Sequence, residues 1–192
     1  MSRIENLKGE LKKFANPEKA KILARFFKTG EGEYGEGMKF LGLDTPNSRK
    51  IAKSYNDLSL KDLGILLGDE YHDYRFVSLV ILVNKFKGAS EKEKGDIYRF
   101  YIKNSKRMNN WDLVDVSSHH IVGQYLLDKN KEALYKLARS NNLWEKRISI
   151  ISTYAFIRNN QFEDTLKIAE ILLNDCHDLI HKAVGWMLRE VG

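Results

Sequence analysis

The segment NNWDLVD, residues 109–115, holds an aromatic ring and a carboxylate at a spacing that could do chemistry. Trp111 and Asp115 are four residues apart, so on a helix both side chains lie on one face. An indole face attracts cations, and a carboxylate in a partly desolvated site stabilises positive charge. Leu113 and Val114 would point elsewhere, toward a core. The segment therefore predicts a short helix, started by Asn110, with a ring and a carboxylate on one face.

Two further segments carry residues of the same kinds. LWEKRISII, residues 143–151, contains Trp144 and Arg147, and KAVGWMLRE, residues 182–190, contains Trp186. Taken singly, each residue has a structural interpretation. A tryptophan on an amphipathic helix is most often part of the core, and an acid in a first turn most often interacts with the helix dipole. Trp144 fits the structural interpretation best, and the common spacing of the other residues favours a shared site.

Helices must position these residues, because helical periodicity runs through the whole chain. We expect about ten to twelve helices and no sheet of consequence. Asn16 and Thr45, each followed by a proline, indicate helix starts, and Ser90 with Glu93 forms a capping box. The glycine-rich stretch 29–42 predicts an ordered loop.

Similar helical segments recur along the chain. RFVSL from Arg75 resembles RISII from Arg147, 72 residues later, and KAVGW from Lys182 is a weaker copy 35 residues beyond. One period of 36 residues after Arg75 falls on Trp111. A period of about 35 to 45 residues in an all-helical chain indicates stacked helix pairs. We therefore predict an all-α, HEAT-like helical-repeat solenoid in which Trp111, Arg147 and the turn up to Trp186 share one concave surface.

Positive charge is concentrated in two blocks. The formal net charge is +6, and residues 1–28 and 101–158 each carry +5, against −1 for residues 29–100 and −3 for residues 159–192. Basic blocks of this kind suit a polyanion such as nucleic acid. Solvated helix faces would give the same pattern, so charge alone leaves both interpretations open.

Composition excludes several classes of protein. At 192 residues, 43% hydrophobic and 30% charged, the chain suits a globular protein with a buried core. Its one cysteine, Cys176, excludes an internal disulfide and a cysteine-based zinc cluster. His177 and His181 lack a third ligand, so we predict no metal site. No apolar run approaches the roughly 18 residues that cross a bilayer, and no signal region is visible, so we expect a cytoplasmic protein.

Four segments together resemble the bacterial DNA alkylation repair proteins of the AlkD type, which are HEAT-like-repeat DNA glycosylases. These segments are YGEGMKFLGLDTPNSRKIAK (34–53), NNWDLVD (109–115), LWEKRISII (143–151) and KAVGWMLRE (182–190). They follow the family's order over most of the chain, and the combination is more specific than any one of them. The resemblance implies that Trp111, Asp115, Arg147 and Trp186 are active-site residues.

The resemblance also implies a reaction, the excision of positively charged N3- and N7-alkylated purines. A cationic base needs no protonation to leave, whereas the sugar develops oxocarbenium character. Trp111 and Trp186 would hold the cationic deoxyribose and base, with about 0.5–2 kcal/mol per contact. Asp115 would stabilise the charged sugar and position water. Arg147 would grip a backbone phosphate or orient Asp115, and no metal or other cofactor is expected.

The partner that the resemblance implies is double-stranded DNA with alkylated bases, bound by a monomer from its concave side. Lys and Arg side chains of the two basic blocks and the first helices would contact the phosphates. The candidates are Arg25, Lys28, Lys39, Arg49, Lys50, Lys103, Lys106, Arg107, Lys146 and Arg158. The prediction concerns the group, because each residue alone could equally be solvated surface.

We expect residues 1–192 to form a single HEAT-like-repeat DNA alkylation repair domain. Family members usually continue for another helix or more beyond the segment matching Arg189, so this domain is expected to lack the family's last helix or helices. Phe26 and Phe27 lie where the family often has a tyrosine near the lesion. Two other functions stay open: a non-catalytic module that binds damaged or branched DNA, and a protein-interaction scaffold.

Overall fold

The computed structural model describes residues 2–192, and within them the chain is helical and has no β-strand. The helices are α1 (Arg3–Lys12), α2 (Pro17–Phe26), α3 (Thr45–Lys53), α4 (Leu60–Leu67), α5 (His72–Gly88), α6 (Glu91–Lys103), α7 (Trp111–Asp115), α8 (Gln124–Leu126), α9 (Glu132–Ala138), α10 (Leu143–Ser152), α11 (Tyr154–Ile157), α12 (Glu163–Leu172) and α13 (Asp178–Val191). A 3-10 turn covers Ser105–Arg107, and a π-helical turn covers His119–Gly123. The predicted all-α fold class is confirmed.

The helix count agrees with the prediction when continuous helices are counted once. Helix α8 follows directly on the π-helical turn, and α11 is separated from α10 by Thr153 alone. Grouping these two with the helices before them leaves eleven among residues 2–192, within the expected ten to twelve.

The predicted helix starts are confirmed at two positions and wrong at a third. Asn16 caps α2 by accepting a hydrogen bond from the Lys19 N–H, and Ser90 forms the expected capping box with Glu93. Thr45 does not cap α3. Asp44 does so, because its side chain accepts from the Asn47 N–H at 2.7 Å and Thr45 is already the first helical residue.

The chain divides into two compact units, Met1–Gly88 and Ala89–Gly192. In the first unit, α5 packs against α3 and α4. Asp73 on α5 is 6% exposed and accepts hydrogen bonds from the backbone N–H groups of Leu41 (2.7 Å) and Leu43 (3.1 Å). Gly42 between them has φ 82°, and a side chain there would lie 2.1 Å from the Asn16 carbonyl oxygen. These contacts hold the end of the glycine-rich loop in place.

Helix α10 is at the centre of the second unit and packs against α7, α9, α12 and α13. Its core face consists of Ile148 and Ile151, both fully buried, and Ala155 of α11 continues it. The predicted core face of this segment is confirmed. Trp144 is 7% exposed, which agrees with its structural interpretation. The single-domain organisation and the concave shape of the whole chain stay predictions.

The helix that begins as α7 is interrupted after one turn. Ser117 donates a hydrogen bond back to the Leu113 carbonyl at 2.5 Å, and its hydroxyl also lies 2.8 Å from the hydroxyl of the fully buried Tyr101. Serine bonding to the carbonyl four residues earlier bends helices. A π-helical turn follows, a feature frequent at functional sites.

Among residues 2–192, no helix combines the length and the apolar character that crossing a membrane requires.

Candidate active site

Trp111 and Asp115 are the first and last residues of α7. Asn110 is fully buried and caps the helix as predicted, with its side-chain oxygen 2.7 Å from the Trp111 backbone nitrogen. Leu113 and Val114 are fully buried and anchor the opposite side. Trp111 and Asp115 both stay partly exposed, so neither side chain lies in the dry interior.

Arg147 holds the Asp115 carboxylate with two hydrogen bonds. Its Nε and Nη2 atoms donate to the two carboxylate oxygens at 2.9 and 2.7 Å, and Nη1 donates to the Leu179 carbonyl at 2.6 Å. The arginine side chain is 6% exposed and the aspartate 20%. Each guanidinium nitrogen therefore has a protein acceptor. Of the two roles expected for Arg147, the geometry suits the orientation of Asp115.

The electrostatics of Asp115 are set by burial. Burial raises the pKa of its carboxyl above the ordinary value, the hydrogen bonds and charge of Arg147 oppose the rise, and the charge of Asp112 adds to it. Carboxylate oxygens accept more than one hydrogen bond, so the exposed part of the group can still bind water or a ligand. Because part of its hydration is removed, the carboxylate attracts positive charge more strongly than it would in bulk water.

Trp186 takes part in a second set of contacts, which is formed by aromatic side chains. We call the contacts of Asp115 with Arg147 the first level and this aromatic set the second level. The Tyr154 ring lies 6.1 Å from the Trp186 ring and 5.5 Å from the His119 ring, the latter in an edge-to-face arrangement. The indole of Trp186 is half-buried, and its Nε1 donates to Glu190 at 3.0 Å. That hydrogen bond and the Tyr154 ring fix the orientation of the indole.

The two levels show that three helical segments run in the same direction. These segments are α7 with the π-helical turn, α10 with α11, and α13. The first level joins Asp115, Arg147 and Leu179, which are 32 residues apart at each step. The second joins His119, Tyr154 and Trp186, at steps of 35 and 32 residues. On each of the three helices, the second level comes later in the chain than the first. Equivalent helices of successive pairs stack in this way in helical repeats, at nearly the predicted period.

Trp111 and Asp115 lie at the two ends of α7, four residues apart, which is about 6 Å of helix axis. The structure thus brings Asp115 and Arg147 into direct contact, and it connects Trp186 to the ring of His119 through Tyr154.

The comparisons with known proteins identify the family. The sequence matches the model of the DNA alkylation repair enzyme family over residues 7–192. The chain belongs to this family. The solved structure of a predicted DNA alkylation repair enzyme from Enterococcus faecalis is similar, with a TM-score of 0.67, 17% identity, and coverage of 92% of this chain and 83% of that chain. At this identity the likeness shows a shared fold. No curated protein matches the chain.

Family membership gives the protein a role as an enzyme in the repair of alkylated DNA. The resemblance noted in the sequence is thereby confirmed at the level of the family and the fold.

The ten basic side chains expected at DNA differ in their surroundings. Lys146 is 2.6 Å from Asp175, whose side chain is 7% exposed. Burial alone would raise the pKa of Asp175, but the hydrogen bonds from Lys146 and from the His177 backbone outweigh it and lower this pKa. Lys39 pairs with Glu70 at 2.7 Å on the surface. The other eight are exposed: Arg25, Lys28, Arg49, Lys50, Lys103, Lys106, Arg107 and Arg158. Their contacts with phosphate stay predictions.

The histidine pair considered as a metal site serves the start of α13. His177 caps this helix by accepting a hydrogen bond from the Leu179 N–H at 3.1 Å. The His181 ring contacts the Asp175 carbonyl. In the described part of the chain, no group of three or more His, Cys, Asp or Glu side chains is arranged to hold a metal ion.

Tyr154, which contacts the rings of His119 and Trp186, is a residue that the sequence interpretation did not single out. It follows Arg147 by seven residues, two helical turns, so it belongs to the same helical face. That spacing was the available signal. It was obscured because Tyr154 stands among Ala155, Phe156 and Ile157, which are all buried and give the segment the look of a core helix.

Proposed function

We propose that this protein is a DNA glycosylase that excises positively charged N3- and N7-alkylated purines from duplex DNA. The bond between C1′ of the deoxyribose and the purine nitrogen breaks, and its electron pair leaves with the base and neutralises it. Water then attacks C1′ and loses a proton to the solvent. The products are the free alkylated base and an abasic deoxyribose in an unbroken strand. The residues proposed to act are Trp111, Asp115, Arg147 and Trp186.

The observation that carries the proposal is the partly exposed Asp115 carboxylate held by two hydrogen bonds from Arg147. A charge fixed before the reaction stabilises the oxocarbenium-like sugar without reorganising. The carboxylate also accepts a hydrogen bond from the attacking water. No acid is needed at the leaving group, because the base is already cationic.

The two indoles supply the second contribution. Each presents a half-buried ring that attracts the cationic base and sugar, with about 0.5–2 kcal/mol per contact. Trp111 is one helical turn before Asp115, and we propose that it and Trp186 hold neighbouring parts of one nucleotide. Lesion recognition then rests on charge and does not need a deep base pocket.

We propose that a single copy of the chain binds the DNA backbone through exposed basic residues. Lys103 and Arg158, in the same unit as Asp115, are exposed, whereas Lys146 is held by Asp175. Replacing Lys103 or Arg158 by Ala should weaken binding and reduce the slope of log affinity against log salt by about 0.9 for each lost phosphate contact. Lys146→Ala should act mainly on stability.

The proposal is tested by incubating the protein with duplex DNA that contains N7-methylguanine and measuring the free base by chromatography. We expect release by the wild type and a drop of at least about tenfold in Asp115→Asn. Asp128→Asn makes the same change of charge at an exposed position and serves as the matched control. Its release should equal that of the wild type.

Two other results have distinct meanings. Binding of the duplex without base release would favour the non-catalytic DNA-binding module. Weak binding of the duplex that does not respond to salt, without base release and unchanged in Asp115→Asn, would favour the protein-interaction scaffold. Release that is equal in the wild type and Asp115→Asn would remove the assignment of the carboxylate.

A further inference from the structure

Tyr154 occupies the centre of the aromatic level beside the Asp115 and Arg147 pair. It is the first residue of α11, and the rest of that helix is buried, with Phe156 fully so. Its own side chain is half-buried, between the rings of His119 and Trp186. The backbone of Tyr154 is therefore anchored by the core, while its ring forms part of the site.

The hydroxyl of Tyr154 makes no hydrogen bond with any protein group in residues 2–192, and it is not among the buried polar atoms. Two other tyrosines of the same unit differ in this respect. Tyr101 bonds Ser117 at 2.8 Å, and Tyr135 donates to Asp164 at 2.6 Å. The Tyr154 ring is held by its neighbours, and its hydroxyl is accessible to solvent. The hydroxyl can therefore donate a hydrogen bond to a ligand.

The charges around the second level indicate which kind of ligand can bind there. Asp115 and Asp112 lie on the preceding helix, Glu190 binds the Trp186 indole, and the Arg147 cation already has protein acceptors. A cationic sugar suits these surroundings, but the phosphate that adjoins it needs a donor. Tyrosine hydroxyls are regular donors to DNA phosphates, and a neutral donor leaves the field of Asp115 unchanged.

We infer that the Tyr154 hydroxyl donates a hydrogen bond to a phosphate oxygen next to the lesion nucleotide, while its ring supports Trp186. This inference rests on the proposed function and adds a substrate-contacting residue to it. The step is one of binding: no covalent bond forms or breaks at Tyr154. The phosphate contact positions the deoxyribose between the carboxylate and the indole.

The test compares Tyr154→Phe and Tyr154→Leu with the wild type in single-turnover release of N7-methylguanine. Tyr154→Phe keeps the ring and loses the hydroxyl, so we expect the protein concentration at half-maximal rate to rise about threefold to tenfold, the range for one hydrogen bond. The maximal rate should change less. Tyr154→Leu also removes support from Trp186, so it should raise the half-maximal concentration and also lower the maximal rate. Tyr135→Phe, which removes a hydroxyl bonded to Asp164, is the matched control and should leave DNA binding unchanged.

A second measurement identifies the phosphate. A neutral methylphosphonate replaces, in turn, each phosphate that flanks the lesion. At one position the wild type should lose about the same factor as Tyr154→Phe, and the two changes together should cost no more than either alone. Additive losses at both positions, or a half-maximal concentration unchanged in Tyr154→Phe, would overturn the inference and leave base release by the wild type standing. A wild type that releases no base would remove the proposed function and this inference together.

Discussion

Helix α5 of the first unit runs through 17 residues, whereas α7 of the second ends after five, at Asp115. The two begin near Arg75 and Trp111, one predicted repeat period apart. Eleven residues of α5 are buried, so its sequence serves packing almost all the way round. Helix α7 buries Leu113 and Val114 and leaves a ring and a carboxylate at the surface. A helix that ends early at a repeat position, such as α7, therefore leaves side chains available for a functional site, whereas the long helix α5 uses its side chains for packing.

The same contrast holds for two aspartates. Asp73 on α5 is 6% exposed, and its carboxylate oxygens accept hydrogen bonds from two backbone N–H groups, so it supports the loop before it. Asp115 on α7 has a side chain that is 20% exposed, and its acceptors face one arginine. The two residues are of the same type but have different roles. The difference lies in the hydrogen-bond donors that contact each carboxylate.

The largest effect on stability is expected when Arg147 is replaced by Met. The change leaves the Asp115 carboxylate without its partner and should cost about 3–5 kcal/mol of unfolding free energy, measured by urea denaturation. The double variant with Asp115→Leu removes both charges and should regain most of that loss. Base release should be lost in both variants. A double variant no more stable than the single one would show that the ion pair is not the cause.

The matching change in the first unit is Asp73→Asn. It replaces one of two charge-assisted acceptors for the loop amides, so we expect a loss of about 1.5–3 kcal/mol in unfolding free energy. At a temperature where the variant is folded, base release should equal that of the wild type. A selective loss of release would contradict the structural role of Asp73.

Gly123 tests the packing of the π-helical turn against α10 and α11. A Cβ added there would lie 2.2 Å from the Ser152 carbonyl oxygen and 2.8 Å from the Ala155 Cβ. Gly123→Ala should therefore cost about 1–3 kcal/mol in a urea titration, because the helices must separate. At Gly9, a Cβ meets nothing within 4 Å, so Gly9→Ala should be neutral or stabilising. Equal effects at both glycines would show that this close approach is not limiting.

The smallest effect concerns pH. The Asp115 pKa is raised above the ordinary 3.8 by burial, so protonation begins at a higher pH than for an exposed aspartate. Above the raised pKa the Asp115 carboxyl is charged, and the burial of this charge lowers the free energy of unfolding. The charged form is also the one that we expect to be active. As the pH falls through that pKa, base release should decrease, after subtraction of the rate without enzyme. Asp115→Asn should lack this decrease, and its persistence there would assign the titration to another group.

The sequence predicted much of the local structure because the signals are local. Asn16, Ser90 and Asn110 cap helices through residues within three positions of themselves, and Leu113 and Val114 follow from helical spacing. The misplaced start of α3 is also a local error. Both Asp44 and Thr45 are capping types, and only the hydrogen bond to the Asn47 N–H decides between them.

The rest depended on partners distant in the chain. The hydrogen bond between Tyr101 and Ser117 joins residues 16 apart, and the pairing of Lys146 requires Asp175, 29 residues away. The contact between Tyr154 and Trp186 requires two helices to run side by side. No local spacing reveals such neighbours. The proposed role of Arg147 in orienting Asp115 likewise depends on distant partners. Its three acceptors belong to Asp115 and Leu179, each 32 residues away.

We propose that the Asp115 carboxylate, fixed by Arg147, makes the main contribution to the release of the base. The sharpest measurement is the single-turnover rate constant of N7-methylguanine release at saturating protein, with DNA affinity measured separately. We expect Asp115→Asn to lower the rate constant at least about tenfold and to leave the affinity for the duplex little changed. An unchanged rate constant in Asp115→Asn, with wild-type release intact, would contradict it.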